Sequence, residues 1–272
     1  MIVSAFLENI RTGAKALDMP LKEALQKMQA AGMEKIYVGK DSILELGQDL
    51  FDLFEELHLP VEGLHGWFDF GHHPEDEGYK QFIDYAVQCG APNVLIVPGM
   101  IRKEEEDQRE AQMQNMVTAL RKAVAYGKEK DVIVSMEDFD GTMAPFCSVD
   151  GLNWYMEQVE GLQCSFDTGN FIVYHEDERQ ALEVFLDKLC TMHVKDRSRE
   201  QRHAGDHPCV CADGDKFYPS PVGYGVMQIP AILERLKEIG YTGGVIAEMY
   251  GCDPQYMLEG MMQSVAWLKA NV

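Results

Sequence analysis

Four side chains in this sequence are placed to do chemistry together: Glu137 in VIVSMEDF, Asp167 in LQCSFDTGNF, His193 in LCTMHVKDR and Glu248 in GGVIAEMYG. Each stands at the far end of a strand-like apolar run, and neighbours such as Val134, Leu162, Cys164, Phe166, Met192, Val245 and Ile246 suit a strand buried on both faces. Burying a carboxylate or an imidazole there is costly unless the group is paired or bound to a metal. Taken singly, Asp167 also fits a helix N-cap and His193 a hydrogen-bonded core residue. Four such endings in successive strands imply that they converge. Two Glu, one Asp and one His make a hard oxygen and nitrogen set suited to one divalent cation, Mn²⁺ first, with Mg²⁺, Co²⁺ or Zn²⁺ as alternatives.

The chemistry open to such a site follows from the cation. A divalent ion that grips two adjacent oxygens of a sugar polarises a carbonyl and stabilises the enediolate left when the neighbouring carbon loses its proton. Glu137 and Glu248 end strands on opposite sides of Asp167 and His193. One carboxylate can therefore approach each face of a planar intermediate, as removal and return of a proton requires. Two other outcomes use the same residues: a dehydratase, in which the enediolate expels a β-hydroxyl, and a non-catalytic sugar-binding barrel, for which loss of one glutamate is expected.

The elements that must hold these residues alternate along the whole chain. IVSAF, KIYVG, VEGLHGWF, APNVLIVPG, DVIVSMEDF, LQCSFDTGNF, LCTMHVKD and GGVIAEMYG read as strands. Between them, segments such as LKEALQKMQAAG, SILELGQDLFDLFEELH and MQIPAILERLKEIG have helical period, and Gly32 closes the first of these. Alternating strands and helices on this scale predict an α/β fold, a (β/α)₈ barrel over residues 1–272 as a single domain, with a loop insertion at about 197–225. A doubly wound sheet is the competing architecture, but no G-x-G-x-x-G opens the first helix. In a closed barrel, Glu137, Asp167, His193 and Glu248 end strands five to eight around one mouth, on the face where barrel active sites are built.

Composition narrows the partners. The formal charge is −21, with 24 Lys and Arg against 45 Asp and Glu, so the cationic track that a nucleic-acid binder needs is missing. No apolar run approaches a membrane span of about 20 residues, and the N-terminal MIVSAFLENIR has no charged region followed by a long apolar stretch. A cytoplasmic protein acting on a small molecule is expected. The seven cysteines are odd in number and mostly embedded in apolar runs, as reduced core residues are.

With MEDF, FDTGN, HVKDR, a VGYG-to-helix passage and GGVIAE in this order, the chain resembles the xylose isomerase-like sugar isomerases and epimerases, the barrels that include tagatose 3-epimerase, hydroxypyruvate isomerase and inosose dehydratase. The resemblance spans essentially the whole chain. It implies that Glu137, Asp167, His193 and Glu248 bind one divalent ion and that the two glutamates act as acid and base. It also places Arg197 on substrate hydroxyls, with Lys195 of the same motif as a further contact. His65, near the end of the third strand, points toward the same mouth as a substrate contact. The tagatose epimerase type has a histidine where this chain has Asn170, and a glutamate where it has Met143, so the sugar is left open while the ion and the bases carry over. The endonuclease IV type shares the barrel but needs more metal histidines than this chain supplies: Asn170 occupies one of their places, and Asp206-His207-Pro208 breaks another.

Two readings remain for the insertion. His203, His207, Cys209 and Cys211 lie close enough in sequence for a structural Zn²⁺, although C-x-C after H-x₃-H is not a standard finger. Alternatively the segment is a lid that brings His207 or Arg202 to the substrate, with Tyr218 and Tyr224 as packing or dimer contacts. Met257, Met261 and Met262 fall at helical spacing and fit a core or a homo-oligomer interface.

Overall fold

The computed structural model describes residues 1–272. Its strands are β1 (Ile2–Phe6), β2 (Lys35–Gly39), β3 (Val61–Trp67), β4 (Asn93–Val97), β5 (Ile133–Met136), β6 (Gln163–Asp167), β7 (Leu189–Ser198), β8 (Cys209–Val210), β9 (Lys216–Ser220) and β10 (Gly244–Glu248). β1 to β7 pair in parallel in chain order, and β10 pairs in parallel with both β7 and β1. The sheet thus closes into an eight-stranded parallel barrel wrapped by helices, a (β/α)₈ barrel.

The period of two along each strand divides the side chains between two environments. On β6, Cys164 and Phe166 join the outer apolar shell, a cluster of 67 buried residues between sheet and helices. Ser165 and Asp167 alternate with them and face the barrel interior, where Ser165 Oγ lies 2.8 Å from Ser135 Oγ and 2.6 Å from Thr191 Oγ1. On β7 the outward residues are Met192 and Val194, leaving Thr191, His193 and Lys195 on the inside. The only buried apolar cluster outside the shell is Phe6, Tyr37, Leu95 and Ile246.

Three local features differ from the sequence reading. Leu7–Ala16 is a helix directly after β1, where no element was expected; its apolar face is only Leu7, Ile10 and Ala14, and its start has no side-chain cap. The helix expected over residues 42–58 is two, Lys40–Leu46 and Gln48–Glu56, because Gly47 sits at φ 57 and breaks the ladder. The insertion is not a featureless loop. β7 runs on to Ser198, β9 pairs antiparallel with Asp196–Ser198, and β8 adds to β9.

Asp196 then staples the following turn: its carboxylate accepts from Gly223 and Gly225 N at 2.9 Å and from Met227 N at 3.2 Å. Gly225 is required there, since a Cβ would lie 2.2 Å from both Arg197 O and Asp196 Oδ1. No helix is long and apolar enough to cross a membrane.

Candidate active site

β5, β6, β7 and β10 deliver Glu137, Asp167, His193 and Glu248 to the C-terminal mouth of the barrel, with one donor atom from each inside a sphere of mutual distances up to 4.8 Å. Asp167 and His193 are fully buried, Glu248 is 4% exposed, and the Glu137 side chain 11%. His193 turns Nδ1 to Glu137 Oε2 at 2.8 Å and to Glu248 Oε2 at 3.4 Å, while its Nε2 has no hydrogen-bond partner. Phe6 and Tyr37 hold the ring edge-on at centroid distances of 4.9 and 5.0 Å. The imidazole is thus aimed by packing, without a second hydrogen bond.

Electrostatics set the protonation states. Burial pushes Glu137 up to about 8, reinforced by the charge of Asp167. Burial likewise pushes Glu248 up to about 8, with Lys195 opposing and Asp167 adding to the rise. Burial drives His193 down to about 4 against the pull of Glu248 and Asp167, so the imidazole is neutral at neutral pH. Lys195 is buried, yet Asp167 and Glu248 outweigh the desolvation and hold its ammonium well above the usual lysine range.

The Lys195 ammonium lies 3.1 Å from Asp167 Oδ2 and 2.9 Å from Asn170 Oδ1, and it also pairs with Glu248 Oε1. Three carboxyl groups, one ammonium and a neutral imidazole thus share one buried pocket. Asp167 Oδ2 and Glu248 Oε2 are buried without a hydrogen bond. That donor set fits a hard divalent cation.

Glu137 and Glu248 open into a cavity of about 190 Å³ lined also by Phe6, His65, Trp67, Val97, Phe139, Asp140, Asn170, Lys195 and Tyr250, with Asp167 and His193 buried behind them. Wider grooves lie elsewhere on the surface, such as one lined by Phe51, Phe54 and Pro60, but without a comparable set of buried ionisable groups. His65, Asn170 and Lys195 line the mouth.

Two expected substrate contacts do not reach it. Arg197 is 2% exposed, its Nη2 held by Asp140 Oδ2 at 2.6 Å and its Nε by Gly169 O at 3.2 Å. It lies behind Asp140 and can only position that carboxylate. His207 is exposed on the insertion, tied by its backbone N–H to Gly251 O at 2.7 Å, and does not line the cavity. The set His203, His207, Cys209 and Cys211 does not assemble either: the His203 ring stacks on Tyr256 at 3.7 Å, and the Cys209 and Cys211 thiols point to Asp140 O and Ile172 O. Arg202 donates to Tyr224 O, which closes the insertion on itself.

Sequence reasoning passed over Phe139, Asp140 and Tyr250. Phe139 and Tyr250 stand two positions past Glu137 and Glu248, so continuing the period of two beyond the strand ends would have found them. Glu8 was also missed, because it sits in the unforeseen helix; its Oε2 is 2.9 Å from His65 Nε2.

A closed parallel barrel with a buried oxygen and nitrogen donor set at its C-terminal mouth has its candidate site on the face where (β/α)₈ barrels carry theirs. The chain belongs to the Xylose isomerase-like TIM barrel family, whose match covers residues 12–271. Among curated protein sequences nothing matches. Among solved structures, D-allulose 3-epimerase from Methylomonas sp. is similar with a TM-score of 0.75 at 14% identity, covering 100% of this chain and 98% of that one. The probable 3-DHS dehydratase AsbF from Bacillus anthracis gives 0.72 at 12% identity, covering 97% and 98%. The IOLI protein with a bound zinc atom gives 0.71 at 17%, covering 99% and 96%. At these identities the likeness is one of fold.

Proposed function

We propose that this chain is a divalent-metal-dependent isomerase or epimerase of a small sugar or sugar-like polyol ketone. One observation carries the reading: Glu137, Asp167, His193 and Glu248 bring donor atoms within 4.8 Å of one another, and two of them, Glu137 and Glu248, line a small cavity. Those four residues would hold the ion through carboxylate oxygens and His193 Nδ1. When bound, the cation supplies Lewis acidity toward a substrate carbonyl and its neighbouring hydroxyl.

The chain's own groups do the rest. Glu137 and Glu248 both line the cavity and are the carboxylates placed to accept and return a proton there. Lys195 holds Asn170 Oδ1 at 2.9 Å, and both line the cavity where the Asn170 amide can meet substrate oxygens. Phe139, Trp67 and Tyr250 wall the cavity and keep bulk water from the carbon that loses its proton. The zinc in the IOLI structure puts Zn²⁺ beside Mn²⁺ as the ion to test first.

The experiment is incubation of free and phosphorylated ketoses with the Mn²⁺- or Zn²⁺-supplied protein in D₂O. Deuterium should enter at one carbon without loss of water, and Glu137→Gln and Glu248→Gln should each abolish its entry. Release of water with a rise in ultraviolet absorbance would favour the second reading, a dehydratase, which the fold likeness to AsbF motivates. Neither signal with any ketose would leave a non-catalytic binding barrel.

A further inference from the structure

We propose that the mouth of the barrel holds a second subsite, at the ends of β1, β2 and β3, that takes the second ring of a saccharide or an equivalent uncharged polyhydroxyl substituent. The inference rests on the sugar reading for the inner subsite and extends it to the substrate class. Beside the cavity over Glu137 and Glu248, and sharing His65, Trp67 and Tyr250 with it as lining, lies an outer chamber of about 200 Å³ bounded also by Glu8, Gly39, Lys40, Asp41 and Gly66.

Its floor is kept open by glycine. A Cβ at Gly39 would lie 2.5 Å from Glu8 Oε1 and 3.0 Å from His65 Nε2. Its polar groups are fixed in place. Glu8 Oε1 accepts from Gly39 N at 2.9 Å and Ser42 Oγ at 2.7 Å, which anchors the carboxylate to the start of the next helix and turns Oε2 to His65. The His65 ring in turn stacks on Tyr37 at 5.6 Å with planes 8° apart. Lys40 Nζ sits 4.0 Å above the Phe68 ring and 3.3 Å from Trp67 O.

Aromatic walls complete the chamber. Trp67, 49% exposed and perpendicular to Phe139 at 5.1 Å, and Tyr250, 38% exposed, both line the chamber. A pyranose ring has an apolar C–H face and a rim of hydroxyls, which matches one aromatic wall with held polar groups around it. Charge decides against a phosphate at this end. Lys40 is the one lysine or arginine around the outer chamber and stands against Glu8 and Asp41, so no cluster of cations is there to hold a dianion.

The test is calorimetric titration of the full chain loaded with Zn²⁺. The probes are maltose, cellobiose, lactose and sucrose against glucose, galactose and fructose, with glucose 6-phosphate as the charged control. At least one disaccharide should bind about tenfold tighter than its component monosaccharides. Glucose 6-phosphate should bind more weakly than glucose. The ratio of disaccharide to monosaccharide affinity should fall to one in Lys40→Met, and in Asp41→Trp, which plugs the outer chamber from an exposed position.

Monosaccharides binding as tightly as every disaccharide would overturn the subsite, and so would a preference that survives both variants or the absence of binding by all the sugars. The catalytic reading fails separately. If no deuterium enters any ketose while the disaccharide preference holds, the subsite stands on a sugar-binding barrel.

Discussion

A cluster of 67 buried apolar residues lies mainly outside the barrel wall; inside it, apolar packing is mainly Phe6, Tyr37, Leu95 and Ile246, with Val97 at the mouth. The rest of the interior is hydroxyls, thiol and ionisable groups, from Ser135, Ser165 and Thr191 below to His193, Lys195 and Glu248 at the mouth. The two faces of the same strands therefore do different work. The shell supplies the burial that holds the barrel closed, at roughly 25 cal/mol per Å² of apolar surface. The interior gives up part of that gain to keep charges dry and close together. Damage to function and damage to stability should consequently separate according to the side of the wall that is changed.

The largest effect expected is on the inner side. Glu137→Gln keeps the shape of the side chain and removes its ability to carry a proton, so turnover should fall by about 10² to 10⁴. Stability should hold or rise. Glu137 contacts His193 and has no Lys partner, so the variant strands no buried cation. Glu248→Gln should lose activity equally but also stability, since it leaves the Lys195 ammonium with Asp167 as its remaining carboxylate. Urea unfolding beside initial rates checks both; a Glu137→Gln variant that is active, or badly unfolded, would erase the distinction between the two faces.

On the outer side, Phe166 is fully buried in the shell, with its ring 5.2 Å from that of Phe171. Phe166→Ala should cost about 3–5 kcal/mol of unfolding free energy. Its neighbour Asp167 remains on the strand, so turnover per folded molecule, measured well below the thermal transition, should change by much less than for Glu137→Gln.

This contrast also explains what the sequence disclosed. Strand runs were legible because both faces are buried, and the strand-end Glu, Asp and His stood out because nothing in an apolar run calls for them. What stayed hidden depends on contacts between distant segments. Arg197 has the same place in its motif whether it reaches a substrate or, as here, the Asp140 carboxylate, and only the fold distinguishes the two. His203 and Cys211 are near in sequence but apart in the fold: the His203 ring stacks on Tyr256, whereas Cys211, just past β8, turns its thiol to Ile172 O. The helix Leu7–Ala16 gave no clear signal because packing on the final helix, where a Gly13 Cβ would strike Leu258, matters more there than capping or propensity.

The smallest effect, and the one that tests the interior as a whole, is the pH dependence of stability without a metal. In the folded chain Glu137 and Glu248 hold protons up to about 8, whereas in the unfolded chain they ionise at the usual 4.5. Between those values the folded state binds more protons, so stability falls as pH rises. His193 works the other way over part of the range: it is held at about 4 when folded and returns to 6.5 when unfolded, so below 6.5 the unfolded chain regains one proton. Asp138, pushed up by burial, adds to the glutamate side. The decline in stability should thus be shallow from about pH 5 to 6.5 and steepest from there to about pH 8.

Urea midpoints in the presence of a chelator measure this directly. Adding Zn²⁺ or Mn²⁺ should reverse the trend, because a cation needs the carboxylates ionised and displaces their protons. Glu137→Gln should remove its share of the slope in the metal-free protein. Midpoints that stay flat, or climb, between pH 6.5 and 8 with chelator present would mean that these carboxyls are solvated and that the inner face is not the dry, proton-holding surface described here.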